Sequence, residues 1–267
     1  MRASLSDAFD RFADLVLSAP DPRAMATAHW SIADLAAHVS TTAAMYRFTL
    51  PPGDPATVAA LIAGTTVDNL ALLNEKRLGS YTERDPRAIV ERIRGDITHM
   101  LDTSADLDPA TPIPWLGGAK IPLAGALAHM ANELLIHGRD VAGPLGRKWT
   151  IAAHDAALVF DLFIIGLLRY GPGAFLDSDV PPRDRRIAVE FRSAHTAPVA
   201  MVLHRGAVSA EEPAPDDDAR ITFDPETLML MLFHRISKAR AVMTGGVRIS
   251  GRRPWLLPGF LRVVRAP

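Results

Sequence analysis

From residue 3 to about residue 148 the apolar positions recur every three to four residues, the period of helices that bury one face. Residues 3 to 18 set Leu5, Phe9, Phe12 and Val16 at that spacing. Residues 31 to 48 open with Ser31 and Asp34 in the order of a capping box, with Asp where Glu or Gln is usual. Residues 55 to 78 and 86 to 104 give two more helices, the second begun by Asp85 as N-cap and Pro86 in its first turn. A loop rich in Asp and Pro, TSADLDPATPIPWLGG, comes next. A further helix runs from near Pro122 to Val141 and is stopped by Gly143 and Pro144. These segments predict a helical bundle with no strand before residue 140.

Beyond Trp149 the apolar period moves toward two. One more apolar helix, over about 151 to 169, leads through GPG into runs with strand character: RIAVEFR, APVAMVLHR and ARITF. Asp224 and Pro225 open a last helix, PETLMLMLFHRIS, before the tail GGVRISGRRPWLLPGFLRVV. The acidic run EEPAPDDD at 211 to 218 reads as a solvated hairpin loop. The predicted fold is therefore mixed: a four-helix bundle over 1–148, then a small α+β domain over 149–267.

A length of 267 residues suits one large or two modest domains. Net charge is −1, which leaves no positive excess to neutralise a nucleic-acid backbone or an anionic membrane surface. The most apolar stretch, AALVFDLFIIGLL, is too short to span a bilayer and contains Asp161. Asp7, Asp10 and Asp14 rule out reading the N-terminus as a signal peptide, so a cytoplasmic protein is expected. The chain has no cysteine, hence no disulfide, no thiolate ligand and no sulfur nucleophile of its own. Its 25 Arg against 4 Lys, with abundant Ala and Pro, matches the bias of a GC-rich genome.

The segment LAHMANELLIHGRD carries the chemistry. Residues four apart on a helix lie above one another, so Glu133 and His137 present a carboxylate and an imidazole at a spacing that suits one metal ion. His129 shares the stripe, but two turns, roughly 12 Å of rise, separate it from His137, too far for both to ligate one ion. In WSIADLAAHVSTTAAMY, His38 shares an inward face with Leu35, Thr42 and Met45. Taken singly, the Glu133–His137 pair also reads as a surface pair and His38 as a core histidine. Together they make two nitrogens and one oxygen, the ligand set of an open zinc site. His29, His99, His154, His195, His204 and His234 have no partner at ligand spacing and read as structural or solvent-facing, and Trp30 and Trp115 as packing residues. Arg252 and Arg253, in GRRPW, suit either a bidentate grip on a carboxylate presented by the bundle or plain surface positions.

The order W-S-x-x-D-L-x-x-H at 30–38, then P-L-x-x-A-L-x-H-M-x-x-E-x-x-x-H-G-x-D at 122–140, resembles the mycothiol-dependent maleylpyruvate isomerase family within the DinB-like superfamily. The second half, with ARITFDPETLMLMLFHRIS followed by GGVRISG, is similar to the sterol-carrier-protein-2-like module that often follows the family's metal-binding bundle. The resemblance places the metal triad on His38, Glu133 and His137 and matches Asp140 to an aspartate that often follows, while Arg139 stands where many members carry Trp. It implies zinc or another divalent metal, mycothiol as thiol cosubstrate, and a small electrophilic substrate. Asp140 and Arg252 are the candidate catalytic residues. The implied reaction is thiol addition to an activated cis double bond, rotation and expulsion, or a transfer in which the adduct persists. The rival reading is a non-catalytic protein holding a small-molecule or lipid-like ligand in its second half, with a structural metal.

Overall fold

A computed structural model describes residues 1–50, 62–177, 181 and 184–264. Helix α1 (Arg2–Leu17) and helix α2 (Ile32–Thr49) follow the predicted spans within a residue. The capping box at the head of α2 is complete, with Asp34 N donating to Ser31 Oγ at 3.2 Å and Ser31 N to Asp34 Oδ2 at 3.2 Å. Of the helix expected over 55–78, residues 55–61 lie outside the described residues. The described part is helical as α3 (Leu70–Ser80), after a turn in which Asn69 accepts from Thr66 N and donates to the Gly64 carbonyl. Such Asx bonding offers the backbone an alternative to the helix ladder. Helices α4 (Pro86–Thr103) and α5 (Leu123–Ala142) complete the N-terminal half, and α1, α2, α4 and α5 pack on one another as a four-helix bundle.

The Asp/Pro-rich loop holds a short hairpin, which overturns the expectation of no strand before residue 140. Strands β1 (Pro112–Pro114) and β2 (Lys120–Pro122) pair antiparallel. Prolines at three of their six positions lack backbone donors, which hides so short a ladder from periodicity. Its turn passes through Gly117 at φ 67° against Thr65 and Phe175, where a Cβ would lie 2.4 Å from the Thr65 carbonyl oxygen. Lys120 N bonds the Gly171 carbonyl at 2.9 Å, tying the hairpin to the second half.

Helix α6 runs through Ala153–Leu158, a π-helical turn Val159–Ile164, and Ile165–Tyr170. The sheet consists of β3 (Ile187–Ser193), β4 (Thr196–His204), β5 (Ala207–Glu211), β6 (Ala219–Phe223) and β7 (Val247–Ser250), in spatial order β5-β4-β3-β6-β7. All pairs are antiparallel except β3 with β6. The acidic run at 211–218 is consequently a crossover rather than a hairpin loop, since β5 and β6 are not neighbours. Its last two acids are buried: Asp218 accepts from Ala188 N at 3.0 Å and Asp217 from Ala214 N at 3.0 Å. Between β6 and β7 lie α7 (Pro225–Leu232) and α8 (Lys238–Met243), and α9 (Leu257–Phe260) closes the described chain. Helix α7 is shorter than the predicted PETLMLMLFHRIS because His234 takes a left-handed conformation, φ 60°, and Arg235 N turns back to the Leu230 carbonyl.

Alternate residues of β3 and β4 (Ile187, Val189, Phe191; Val199, Met201, Leu203) form one apolar cluster with Phe160, Ile165 and Leu168 of α6. Val159, Phe163 and Leu167 of α6, with Phe175, Met229 and Phe233, belong to the bundle's cluster. Helix α6 is the shared wall of the two halves. Among the described residues no helix is long and apolar enough to cross a membrane.

Candidate metal centre

Ser31 fixes the start of α2 and sets the phase that turns His38 inward, two turns on. The apolar face of α5, with Leu127, Met130, Leu134 and Val141 all buried, does the same for Glu133 and His137. The two helices bring the three side chains together: His38 Nε2 lies 3.2 Å and His137 Nε2 3.6 Å from Glu133 Oε2, and one donor atom of each residue lies within 4.8 Å of the others. His38 is only 5% exposed, so the group sits at the dry end of a cavity of about 230 Å³.

Each member has a partner that orients it. His137 Nδ1 donates to Asp140 Oδ2 at 3.1 Å, which leaves Nε2 to face Glu133. Asp140 is in turn gripped by Arg235, Nε to Oδ1 at 3.0 Å and Nη2 to Oδ2. His129 Nε2 stands 3.6 Å from the other Glu133 oxygen, and its Nδ1 bonds the Tyr46 hydroxyl at 2.7 Å. It is thus the neighbour of the carboxylate, outside the group of three that could hold an ion. Trp30 stacks on His38 with ring centroids 4.8 Å apart, and Trp115 packs edge-on to His129 at 5.3 Å.

Burial would raise the Glu133 pKa, but hydrogen bonds from His137 and His38 outweigh it and hold the carboxyl well below its ordinary range. Burial lowers His38 and His129, which favours neutral imidazoles with free lone pairs. For His137 burial also acts downward, yet Asp140 and Glu133 prevail and raise it. A neutral His38 beside an ionised Glu133 suits a cation, which would displace the proton that Asp140 and Glu133 favour on His137.

The sequence-predicted residues divide clearly. His38, Glu133, His137 and Asp140 converge. Arg252 is exposed in the turn after β7 and lines none of this cavity, and Arg253 pairs instead with Asp218 at 2.5 Å. The arginine that the second half presents to a bundle carboxylate is Arg235. Its signal in the sequence was only its place at the end of an apolar helix. Trp30 and Trp115 line the cavity as well as packing, and Arg77, Asn74 and Asn132 share its wall.

A family model described as the mycothiol maleylpyruvate isomerase N-terminal domain matches residues 3–142. Among solved structures, the chain is similar to a mycothiol-dependent maleylpyruvate isomerase at 12% identity and TM-score 0.50, over 93% of this chain and 91% of that one. A histidine-to-alanine mutant of such an isomerase gives 11% identity and TM-score 0.51 over the same shares. A sterol carrier protein 2 from Yarrowia lipolytica covers 38% of this chain and 91% of its own at 12% identity, but its TM-score of 0.24 is too low to assign the second half. No curated protein matches. The structural likenesses speak to the fold, whereas the family model spans more than half of the chain: it belongs to the mycothiol maleylpyruvate isomerase family.

Proposed function

We propose that the protein is a divalent-metal-dependent isomerase or S-transferase that uses mycothiol as its thiol and acts on a small electrophile. The observation that carries this reading is the meeting of His38, Glu133 and His137, with His38 and Glu133 95 positions apart in the sequence, at one end of a cavity. Two imidazole nitrogens and a carboxylate oxygen fit a zinc-like ion and leave room in its coordination shell. His38, Glu133 and His137 would hold the ion. When bound, it supplies Lewis acidity that lowers the pKa of a thiol from its ordinary value near ~8.5.

Everything else falls to the chain's own residues. Asp140, itself held by Arg235, engages His137 Nδ1 and so directs Nε2 toward Glu133, where an ion would bind. The cavity wall combines apolar Trp30, Met45, Trp115, Ile136 and Phe233 with polar Asn74, Arg77, Asn132 and Arg235, a mixed surface that suits a small polar substrate. A chain without cysteine must take its sulfur from outside. In the isomerase version the thiol adds across an activated cis double bond, the resulting single bond rotates, and elimination of the same thiol leaves the trans product with no net change in atoms. In the transferase version the adduct is the product.

One observation favours the rival ligand-binding reading. A second cavity, between α6, the sheet and α9, is lined almost wholly by apolar side chains, including Leu168, Phe191, Met231 and Phe260. Turnover of maleylpyruvate and other electrophiles with mycothiol, with a simpler thiol and with none, each before and after chelation, separates the two readings. Activity that requires both thiol and metal is expected. Isomerisation that continues without any thiol would overturn the proposed reaction.

A further inference from the structure

The charge of the chain is unevenly spread. Residues 227–267 hold eight Arg and Lys and no acid, so the net −1 divides into +8 in this segment and −9 in the rest. The balance over the whole chain conceals a local positive excess. Arg235 and Arg253 are paired with Asp140 and Asp218. Lys238, Arg240, Arg248, Arg252 and Arg262 are exposed and, among the described residues, form no ion pair.

The same segment leaves large apolar side chains in water: Val242 is 45%, Met243 80%, Ile249 47% and Trp255 68% exposed. Val242 on α8 and Ile249 on β7 stand with Lys238 in the wall of the apolar cavity between α6, the sheet and α9. Strand β7 is an edge, so Arg248, which alternates with Val247 and Ile249 and faces the other side of the sheet, borders the same rim. Met243 and Trp255 are not part of the cavity wall, and a ligand held inside it would leave them exposed. Charges on an edge strand also prevent strand pairing, but one or two suffice for that and do not account for a whole segment free of acids. Unpaired cations among exposed aliphatic and aromatic tips fit a bilayer interface, where headgroups supply mobile negative charge and apolar tips enter the acyl boundary. Tryptophan is at home at that depth because its ring is amphipathic. A folded acidic partner would need a carboxylate fixed opposite each cation, whereas fluid headgroups need no register.

We propose that the β7 edge of the second half, with α8 and the turn that carries Trp255, is a docking surface for an anionic membrane, to which the protein attaches peripherally. The inference depends neither on the metal nor on the proposed reaction.

The full chain is sedimented with vesicles of phosphatidylcholine alone and of phosphatidylcholine with roughly one-third phosphatidylglycerol, each at about 0.05 M and about 0.5 M salt. Binding is expected to the anionic vesicles at low salt, with a blue shift of tryptophan emission, and should fall about tenfold or more at high salt. Lys238→Glu combined with Arg248→Glu should weaken it about tenfold or more, since each cation near such a surface contributes about fivefold, while zinc content and far-ultraviolet circular dichroism stay as in wild type. Lys76→Glu combined with Arg87→Glu, an equal reversal at exposed positions of the bundle, should leave binding unchanged. Trp255→Phe should bind yet lose most of the shift, because Trp30, Trp115 and Trp149 pack against the bundle's core. Equal binding to both kinds of vesicle, binding to neither, or equal loss in the bundle variant overturns the proposal. So does binding of polyglutamate in place of vesicles, which assigns the surface to an acidic polypeptide. Self-association without vesicles that Lys238→Glu with Arg248→Glu abolishes overturns it too, by assigning the surface to the acidic part of a second copy.

Discussion

Each of the three converging side chains has an ordinary explanation when taken alone: His38 packs under Trp30, and Glu133 and His137 are helix neighbours four apart. What no such explanation provides is a largely buried carboxylate facing three imidazoles, with no arginine or lysine bonded to it among the described residues. A buried charge of that kind is retained where something compensates it, and a divalent cation does so with the donor set present. Zinc content of untagged protein should therefore be about one equivalent, lost for the most part in His38→Ala and in His137→Ala and kept in His129→Ala. Equal loss in all three variants, read by elemental analysis, would reassign the triad. At this scale the sequence was informative because side chains on one helix follow its 3.6-residue period, so the shared face of Glu133 and His137, with His129 one turn before Glu133, follows from counting. Arg235 was not legible, because its role comes from a contact across the two halves. Nothing in the local pattern near Arg252 separates it from Arg235; only the left-handed turn at His234 aims the latter at Asp140.

Helices announced themselves by caps. Ser31, Asp85 and Asp224 each accept from a first-turn backbone N–H, and the three helices begin where those residues stand. Strands β3, β4 and β6 were visible as β-branched or alternating runs, while β5 and β7 were too short and too polar to show, and the β1–β2 hairpin was masked by proline. The π-helical turn in α6 has no signature either, although its consequence is clear. There the chain lies so close to α5 that a Cβ on Gly125 would sit 2.5 Å from the Leu162 carbonyl oxygen. Gly95, on α4, faces nothing within 4 Å. Replacing each glycine by alanine should thus give opposite results in thermal unfolding. Gly95→Ala gains about 0.5–1 kcal/mol from helix propensity, and Gly125→Ala loses about 1–3 kcal/mol by prising two helices apart. Two increases in Tm would mean that the helices separate without cost and that glycine at 125 is incidental.

The division at 148/149 is a proposal about topology, and the packing qualifies what it means for stability. Helix α6 lies beyond that boundary, yet it gives Val159, Phe163 and Leu167 to the bundle's core and Phe160, Ile165 and Leu168 to the sheet's. Phe163 and Trp115 meet at 5.2 Å, and Trp115 also meets Phe175 at 4.7 Å, so the aromatic floor of the metal cavity is assembled from both sides of the boundary. Arg235, which holds Asp140, comes from the second half as well. Burying one large apolar side chain stabilises by about 1.5–3 kcal/mol, so a chain cut at 148 forfeits several such contributions at once. The change of apolar period locates where the five-stranded sheet begins but is blind to this sharing, because a helix that serves two cores is apolar on more than one face, as α6 is. A fragment of residues 1–148 should accordingly melt without a cooperative transition and bind zinc weakly. One of residues 1–177, which restores α6 and Phe175 but not Arg235, should melt cooperatively and bind zinc less tightly than the full chain, since loss of a partner behind a ligand typically costs 10–100-fold in affinity. If the shorter fragment already unfolds cooperatively and holds zinc as tightly as the full chain, the bundle is self-sufficient, and the contacts from α6 and Arg235 belong to substrate handling rather than to the integrity of the centre.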